Sequence, residues 1–200
     1  MLRSIVLLCF LLPAACHAAT VLVFGDSLSA GYGLKTEEAW PSLLQKRIAA
    51  EGFKQTVINA SISGETTAGG RTRLPTALAQ HKPAVVIIEL GANDGLRGLP
   101  LALMRENLEA MVRMATQAGT KVLIIGMQLP PNYGPDYTEK FTASFVEIAK
   151  KNKLAFVPFL LEGFAERRDW FQADGLHPVA AAQPTIVNTI WKQLKPLLSH

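Results

Sequence analysis

The chain has 200 residues, of which 49% are hydrophobic and 18% charged, with a formal net charge of +4. That is enough apolar material for one domain with a full core, and it excludes a disordered chain. The Lys and Arg residues are scattered, with no basic run and no interleaved aromatics, which argues against a nucleic-acid partner.

The N-terminus reads as an export signal. Arg3 supplies the positive charge, residues 4–12 (SIVLLCFLL) are an apolar core, and Pro13 and the small residues to Ala19 supply a cleavage region. The apolar run is too short to span a bilayer. Cleavage is expected after Ala18, which leaves a single domain over 19–200 and a periplasmic or secreted protein. Lipid anchoring at Cys16 is the weaker alternative, because Pro13 stands where a branched aliphatic residue is expected. Both cysteines, Cys9 and Cys16, lie inside this segment. The exported chain would therefore have neither a disulfide framework nor a cysteine nucleophile.

From there strands and helices alternate. Residues 20–24 (TVLVF) form a first strand that runs into Gly25-Asp26-Ser27-Leu28-Ser29, expected as a loop to residue 35. Trp40, Leu43, Leu44 and Ile48 recur at helical spacing and predict a helix over 37–51, closed by Gly52. A second strand over 56–60 leads to a turn at Ser63-Gly64-Glu65 and a helix to about 79. A third, strongly apolar strand covers 84–90 (AVVIIEL) and ends in the turn Gly91-Ala92-Asn93-Asp94-Gly95. Pro100 opens a helix to about 118, with Leu101, Met104, Leu108, Met111, Val112 and Ala115 on one face. A fourth strand covers 121–127, followed by a stiff loop (LPPNYGP) and a helix over 137–151. A fifth strand at 154–157, a short helix at 160–166, a polar loop over 169–178 and a final helix over 178–195 complete the chain. The alternation predicts an α/β fold in three layers: a flavodoxin-like, five-stranded parallel sheet with helices on both faces.

On such a sheet the turns after the first three strands share one edge, which brings Ser27, Gly64 and Asn93 together. Serine is a poor nucleophile until an imidazole takes its proton. Of the histidines outside the export segment, His81 precedes a strand at the opposite edge and His200 ends the chain. That leaves His177, in Asp174-Gly175-Leu176-His177-Pro178. Asp174 lies three residues before it and can fold onto the imidazole Nδ1–H. Ser27 N–H, Gly64 N–H and the Asn93 amide are candidate oxyanion donors. Each piece has a bland reading on its own. Gly-Asp-Ser and Asn-Asp-Gly are ordinary turns, and Asp-Gly-Leu-His-Pro could cap a helix. Asp26 reads as scaffold for the turn. Leu129, with Tyr133 in the same loop, is placed to wall an acyl pocket. Metal ligation is not expected, and Gly31-Tyr32-Gly33 lacks the third glycine of a dinucleotide fingerprint.

These motifs resemble the four blocks of the SGNH (GDSL) hydrolase superfamily. The blocks are Gly25-Asp26-Ser27-Leu28-Ser29, Gly64 after Asn59-Ala60-Ser61-Ile62-Ser63, Gly91-Ala92-Asn93-Asp94, and Asp174-Gly175-Leu176-His177-Pro178. Asn93-Asp94-Gly95-Leu96-Arg97-Gly98 and Leu129-Pro130-Pro131-Asn132-Tyr133-Gly134 resemble, more closely, the secreted thioesterase/protease/lysophospholipase (arylesterase) group of that family. The resemblance implies a catalytic Ser27-His177-Asp174 triad, an oxyanion hole of Ser27, Gly64 and Asn93, and no cofactor. It also implies hydrolysis of aryl esters, acyl thioesters and lysophospholipids. No exposed apolar stripe stands out in the sequence, so a monomer is expected, with transient contact with membrane lipid. Segment 78–83 resembles one that shifts on substrate binding in relatives. Ala92 departs from the group, which often has a second glycine there. Position 29 is serine, so the Gly-x-Ser-x-Gly elbow of the larger α/β-hydrolase family is absent. The alternatives are a carbohydrate O-deacetylase and a non-catalytic lipid- or glycan-binding module.

Overall fold

A computed structural model describes residues 19–198. The segment read as an export signal, its expected cleavage site, Cys16 and His200 lie outside the described residues. The five strands are β1 (Thr20–Gly25), β2 (Thr56–Asn59), β3 (Val85–Glu89), β4 (Lys121–Ile125) and β5 (Ala155–Val157). All pairings are parallel, in the order β2-β1-β3-β4-β5. The central strands read as near-continuous apolar runs because both of their faces are covered. Val21 to Phe24, Val85 to Ile88 and Leu123 to Ile125 are sealed from solvent. Burying each such side chain stabilises the fold by roughly 1.5–3 kcal/mol.

Seven α-helices flank the sheet among the described residues: α1 (Ser27–Ala30), α2 (Trp40–Ala50), α3 (Thr67–His81), α4 (Ala92–Leu96), α5 (Leu101–Gln117), α6 (Pro135–Asn152) and α7 (Gln183–Leu194). Helices α3, α5 and α6 pack side by side in one layer, and α2 and α7 pair in the other. The amphipathic α5 buries Met104, Leu108, Met111 and Ala115, and α6 buries Phe141, Phe145 and Ile148, at helical spacing. The three-layer α/β reading holds.

Several boundaries differ from the sequence reading, each for a local reason. The expected loop after β1 contains α1, which starts on Ser27 because Asp26 caps it, its Oδ1 accepting the Leu28 N–H at 3.0 Å. The turn after β3 is likewise the short helix α4. Helix α2 starts at Trp40 rather than at 37, with Ala39 extended and Pro41 in the first turn. Residues 160–166 form turns instead of a helix, with Gly163 in the left-handed region at φ 88°. The final helix is entered through a 3-10 turn, Ala180–Ala182, and becomes α-helical at Gln183.

In this strand order the chain reverses direction across the sheet between β1 and β3. The crevice at their carboxyl ends is where open α/β sheets hold ligands. Gly25 pairs in register with Glu89 at that point.

Candidate active site

Ser27 opens α1 at the end of β1. Its Oγ lies 2.8 Å from His177 Nε2, and His177 Nδ1 lies 2.6 Å from Asp174 Oδ2. The other carboxylate oxygen of Asp174, Oδ1, accepts the backbone N–H groups of Leu176 (2.9 Å) and His177 (3.0 Å). The Asp174–His177 segment is thus folded into a turn by the carboxylate that also holds the ring. Partial burial opposes ionisation of Asp174, but the N–H groups of His177 and Leu176 and the adjacent imidazole outweigh it. They hold its pKa at about 2, below the ordinary value of 3.8. A carboxylate fixed on Nδ1 leaves Nε2 as the nitrogen that faces the serine.

Gly64 and Asn93 follow β2 and β3, at the same edge of the sheet as Ser27. Gly64 has φ +78°, a backbone conformation that L side chains rarely adopt. Neither Ser27 N–H nor Gly64 N–H has a hydrogen-bond acceptor among the described residues. Asn93 is carried by α4, and its Nδ2 donates to Asp26 Oδ2 (3.1 Å) and to the Glu65 carbonyl (3.0 Å). Asp94, the next residue, is buried and pins α4 to the start of α3. Its Oδ2 accepts Thr67 N–H at 2.9 Å and its Oδ1 the Thr67 hydroxyl at 2.5 Å. Arg97 donates to the Gly64 carbonyl at 3.0 Å.

Asp26 is buried and, as expected, supports the turn. Burial pushes its carboxyl up to about 6, against the pull of the Leu28 N–H, His177 and the Asn93 amide. Two contributors were not visible in the sequence reading. Tyr32 places its ring over His177, with centroids 4.5 Å apart and planes at 37°. Gln172 fastens this arrangement, its Nε2 donating to Tyr32 O and its N–H to His177 O, each at 2.8 Å. The Gly-Tyr-Gly motif was the available signal for Tyr32. The second contributor, Glu89, closes the buried strand β3 and accepts the Ser29 hydroxyl at 2.6 Å; it lies just before the Gly91-Ala92-Asn93-Asp94 block but outside it.

Ser27, Asn93 and His177 open into a cavity of about 870 Å³, lined on its apolar side by Met127, Leu129, Phe159, Leu161 and Phe171. Leu129 thus lies in the lining of this cavity. Tyr133 is not part of this lining. It stacks beside Tyr137, and its hydroxyl donates to the Leu96 carbonyl at 2.8 Å. It braces the segment after Asn93 instead of facing the cavity. His81 ends α3, at the opposite edge of the sheet. Segment 78–83 lies at that same far edge. Among the described residues no group of three His, Cys, Asp or Glu side chains is placed to hold a metal ion.

The family model described as "GDSL-like Lipase/Acylhydrolase family" matches residues 23–183. The chain is 53% identical to Esterase TesA of Pseudomonas aeruginosa over 188 residues, 94% of each protein. It is 41% identical to Thioesterase 1/protease 1/lysophospholipase L1 of Escherichia coli, covering 93% of this chain and 88% of that protein. Among solved structures, it superposes on psychrotrophic esterase EstA from Pseudoalteromonas sp., inhibited by monoethylphosphonate. That match has a TM-score of 0.84 and 44% identity, covering 88% of this chain and 97% of that one. The Gly25-Asp26-Ser27-Leu28 block at the sheet's switch point, with Asn93 and His177 converging on Ser27 there, belongs to a chain that is a member of the GDSL-like lipase/acylhydrolase family.

Proposed function

We propose that the chain hydrolyses carboxylic esters and thioesters through an acyl-enzyme on Ser27. The observation that carries this is the continuous hydrogen-bond relay from Ser27 Oγ through His177 to Asp174, opening into an apolar cavity. In this reading His177 Nε2 takes the hydroxyl proton as Oγ attacks the acyl carbon. The resulting imidazolium gives that proton to the departing alcohol or thiol. Water, deprotonated by the same nitrogen, then cleaves the acyl-enzyme and returns Ser27. Asp174 holds the tautomer and stabilises the imidazolium throughout.

The two free N–H groups of Ser27 and Gly64 would receive the oxyanion. Asn93 would add a third donor by sharing an N–H between the Glu65 carbonyl and the oxyanion. The cavity's apolar side, with Leu129 in its wall, suits an acyl chain; an acetyl group alone would leave most of it empty. The relatives' names point to aryl esters, acyl thioesters and lysophospholipids as the substrates to try. The proposed species is an exported monomer that reaches lipid substrates by transient contact with a membrane. The N-terminal charge-apolar-small pattern supports the export.

The test is a chain-length series of p-nitrophenyl esters, with an acyl-CoA and a lysophospholipid, on wild type and Ser27→Ala. Wild type should turn over all three classes. Ser27→Ala should lose at least about 10³-fold in kcat with an unchanged circular dichroism spectrum. Substantial residual turnover by the folded variant would refute the acyl-enzyme.

A further inference from the structure

Glu89 is a fully buried carboxyl group that the mechanism above does not use. Its Oε2 accepts the Ser29 hydroxyl at 2.6 Å and the Asp26 N–H at 3.4 Å. Its Oε1 is sealed from solvent and meets no donor among the described residues. Its carboxyl group lies close enough to that of Asp26 for the two to act on each other's charge. The space it fills is the reason position 25 is glycine. A Cβ there would lie 2.6 Å from Glu89 Oε2 and 2.7 Å from Ser29 Oγ. Glu89 is therefore packed directly beneath the turn that delivers Ser27.

Two adjacent carboxyl groups in a sealed site cannot both ionise without a cation. The groups facing the pair are few. His177 faces Asp26 from its loop, and Asn93 faces it from α4. Arg73 of α3 lies over Phe24, but its Nε and Nη1 are taken by Glu65 and the Ala60 carbonyl. No ammonium or guanidinium among the described residues forms an ion pair with Asp26 or Glu89. One proton must then be retained. Glu89 lies deeper, and only Asp26 has the Leu28 N–H, the Asn93 amide and His177 to stabilise a charge. An oxygen of Glu89 with no donor is tolerable on a protonated acid and costly on a carboxylate.

We propose that Glu89 is a positioning residue for acyl transfer: as a neutral acid it donates to the Asp26 carboxylate, which aims the Asn93 amide and caps the segment bearing Ser27. The proposed Glu89-to-Asp26 link continues along two hydrogen bonds, Asn93 Nδ2 to Asp26 Oδ2 and Leu28 N–H to Asp26 Oδ1. It keeps one negative charge behind the serine, on the member of the pair that His177 faces. Without it the Asn93 donor is misaimed where the oxyanion forms, a displacement that affects the transition state more than substrate binding.

This inference rests on Ser27 being the nucleophile, so Ser27→Ala is the control that tests that reading by itself. The variants are Glu89→Gln, which keeps a neutral donor and acceptor, and Glu89→Leu, which keeps volume but neither. Active sites are counted by titration with a p-nitrophenyl phosphonate, and kcat and KM are measured per titrated site at pH 7. Glu89→Gln should keep kcat within about threefold of wild type. Glu89→Leu should lose about 10- to 100-fold in kcat with KM within about twofold. Wild-type kcat in Glu89→Leu would overturn the proposal. A loss in Glu89→Gln as large as in Glu89→Leu would also overturn it, by showing that a charge is required. If Glu89→Leu does not fold, Glu89→Asp replaces it. That variant withdraws the acid by one methylene and should lower kcat without moving KM; unchanged kcat there would count equally against the proposal.

Discussion

At the scale of single residues, the three proposed oxyanion donors are prepared in different ways. Ser27 and Gly64 offer backbone N–H groups that no neighbour uses, held by the start of α1 and by a left-handed glycine. Asn93 offers a side chain already engaged by Asp26 Oδ2 and Glu65 O. An amide held at both hydrogens is aimed before substrate arrives, so little reorganisation is left for the reaction itself. Asn93→Ala should therefore lower kcat by about 10²–10³-fold with KM nearly unchanged. It should also cost about 1–3 kcal/mol of stability, because buried Asp26 loses a partner. Steady-state kinetics with a short-chain ester and a urea melt check both. A rise in KM at constant kcat would mean that Asn93 binds the ground state instead. Asp174 contrasts with Asp26. It is partly exposed, yet three hydrogen bonds keep it ionised far below neutral pH.

At the scale of elements, the site depends on how closely β1 and β3 approach at their carboxyl ends. Gly25 is the contact point, with Glu89 and Ser29 filling the room a side chain would need. Gly25→Ala should destabilise the fold by about 1–3 kcal/mol through overpacking. It should also lower kcat, since relief of the clash must move either Glu89 or the turn carrying Ser27. A thermal melt and kcat per titrated site measure the two effects, and a folded variant with wild-type values of both would contradict this account. The same elements show what the sequence made legible. Three candidate blocks were readable because each follows a strand, and a parallel sheet puts all such ends together. His177 was readable because topology placed His81 at the wrong edge. Helices α1 and α4 were not, since four and five residues are too few to show a 3.6-residue period. Glu89 was hidden inside AVVIIEL, where one acid at the end of an apolar run resembles a strand terminus. Tyr32 and Tyr133 act through contacts with segments remote in the chain, which spacing does not report.

At the scale of the whole molecule, the buried acid pair ties the site to global stability. Burial, and then the neighbouring Asp26 charge, push Glu89 well above the ordinary carboxyl range, while burial takes Asp26 to about 6. Carboxyl groups of the unfolded chain titrate near pH 4. Above that value the unfolded chain has released protons that the folded chain still holds. The stability linked to both groups is therefore fully present below about pH 4. It falls as pH rises through 6 for Asp26, and likewise as pH rises through the raised folded pKa of Glu89. Asp174 acts in the opposite sense, with its contribution present above about pH 4 and lost as pH falls through 2. On the proposal above, the molecule near neutral pH keeps a protonated acid beneath Ser27 at the expense of stability. Glu89→Gln removes one titration without removing the hydrogen-bonding shape. Its melting temperature should match wild type near pH 4 and exceed it at pH 8, where only the wild-type unfolded chain gains by releasing that proton. Melts of both proteins across this range decide the point. A difference that stays constant from pH 4 to pH 8 would mean that Glu89 has the same protonation state folded and unfolded, and the neutral acid beneath Ser27 would have to be abandoned.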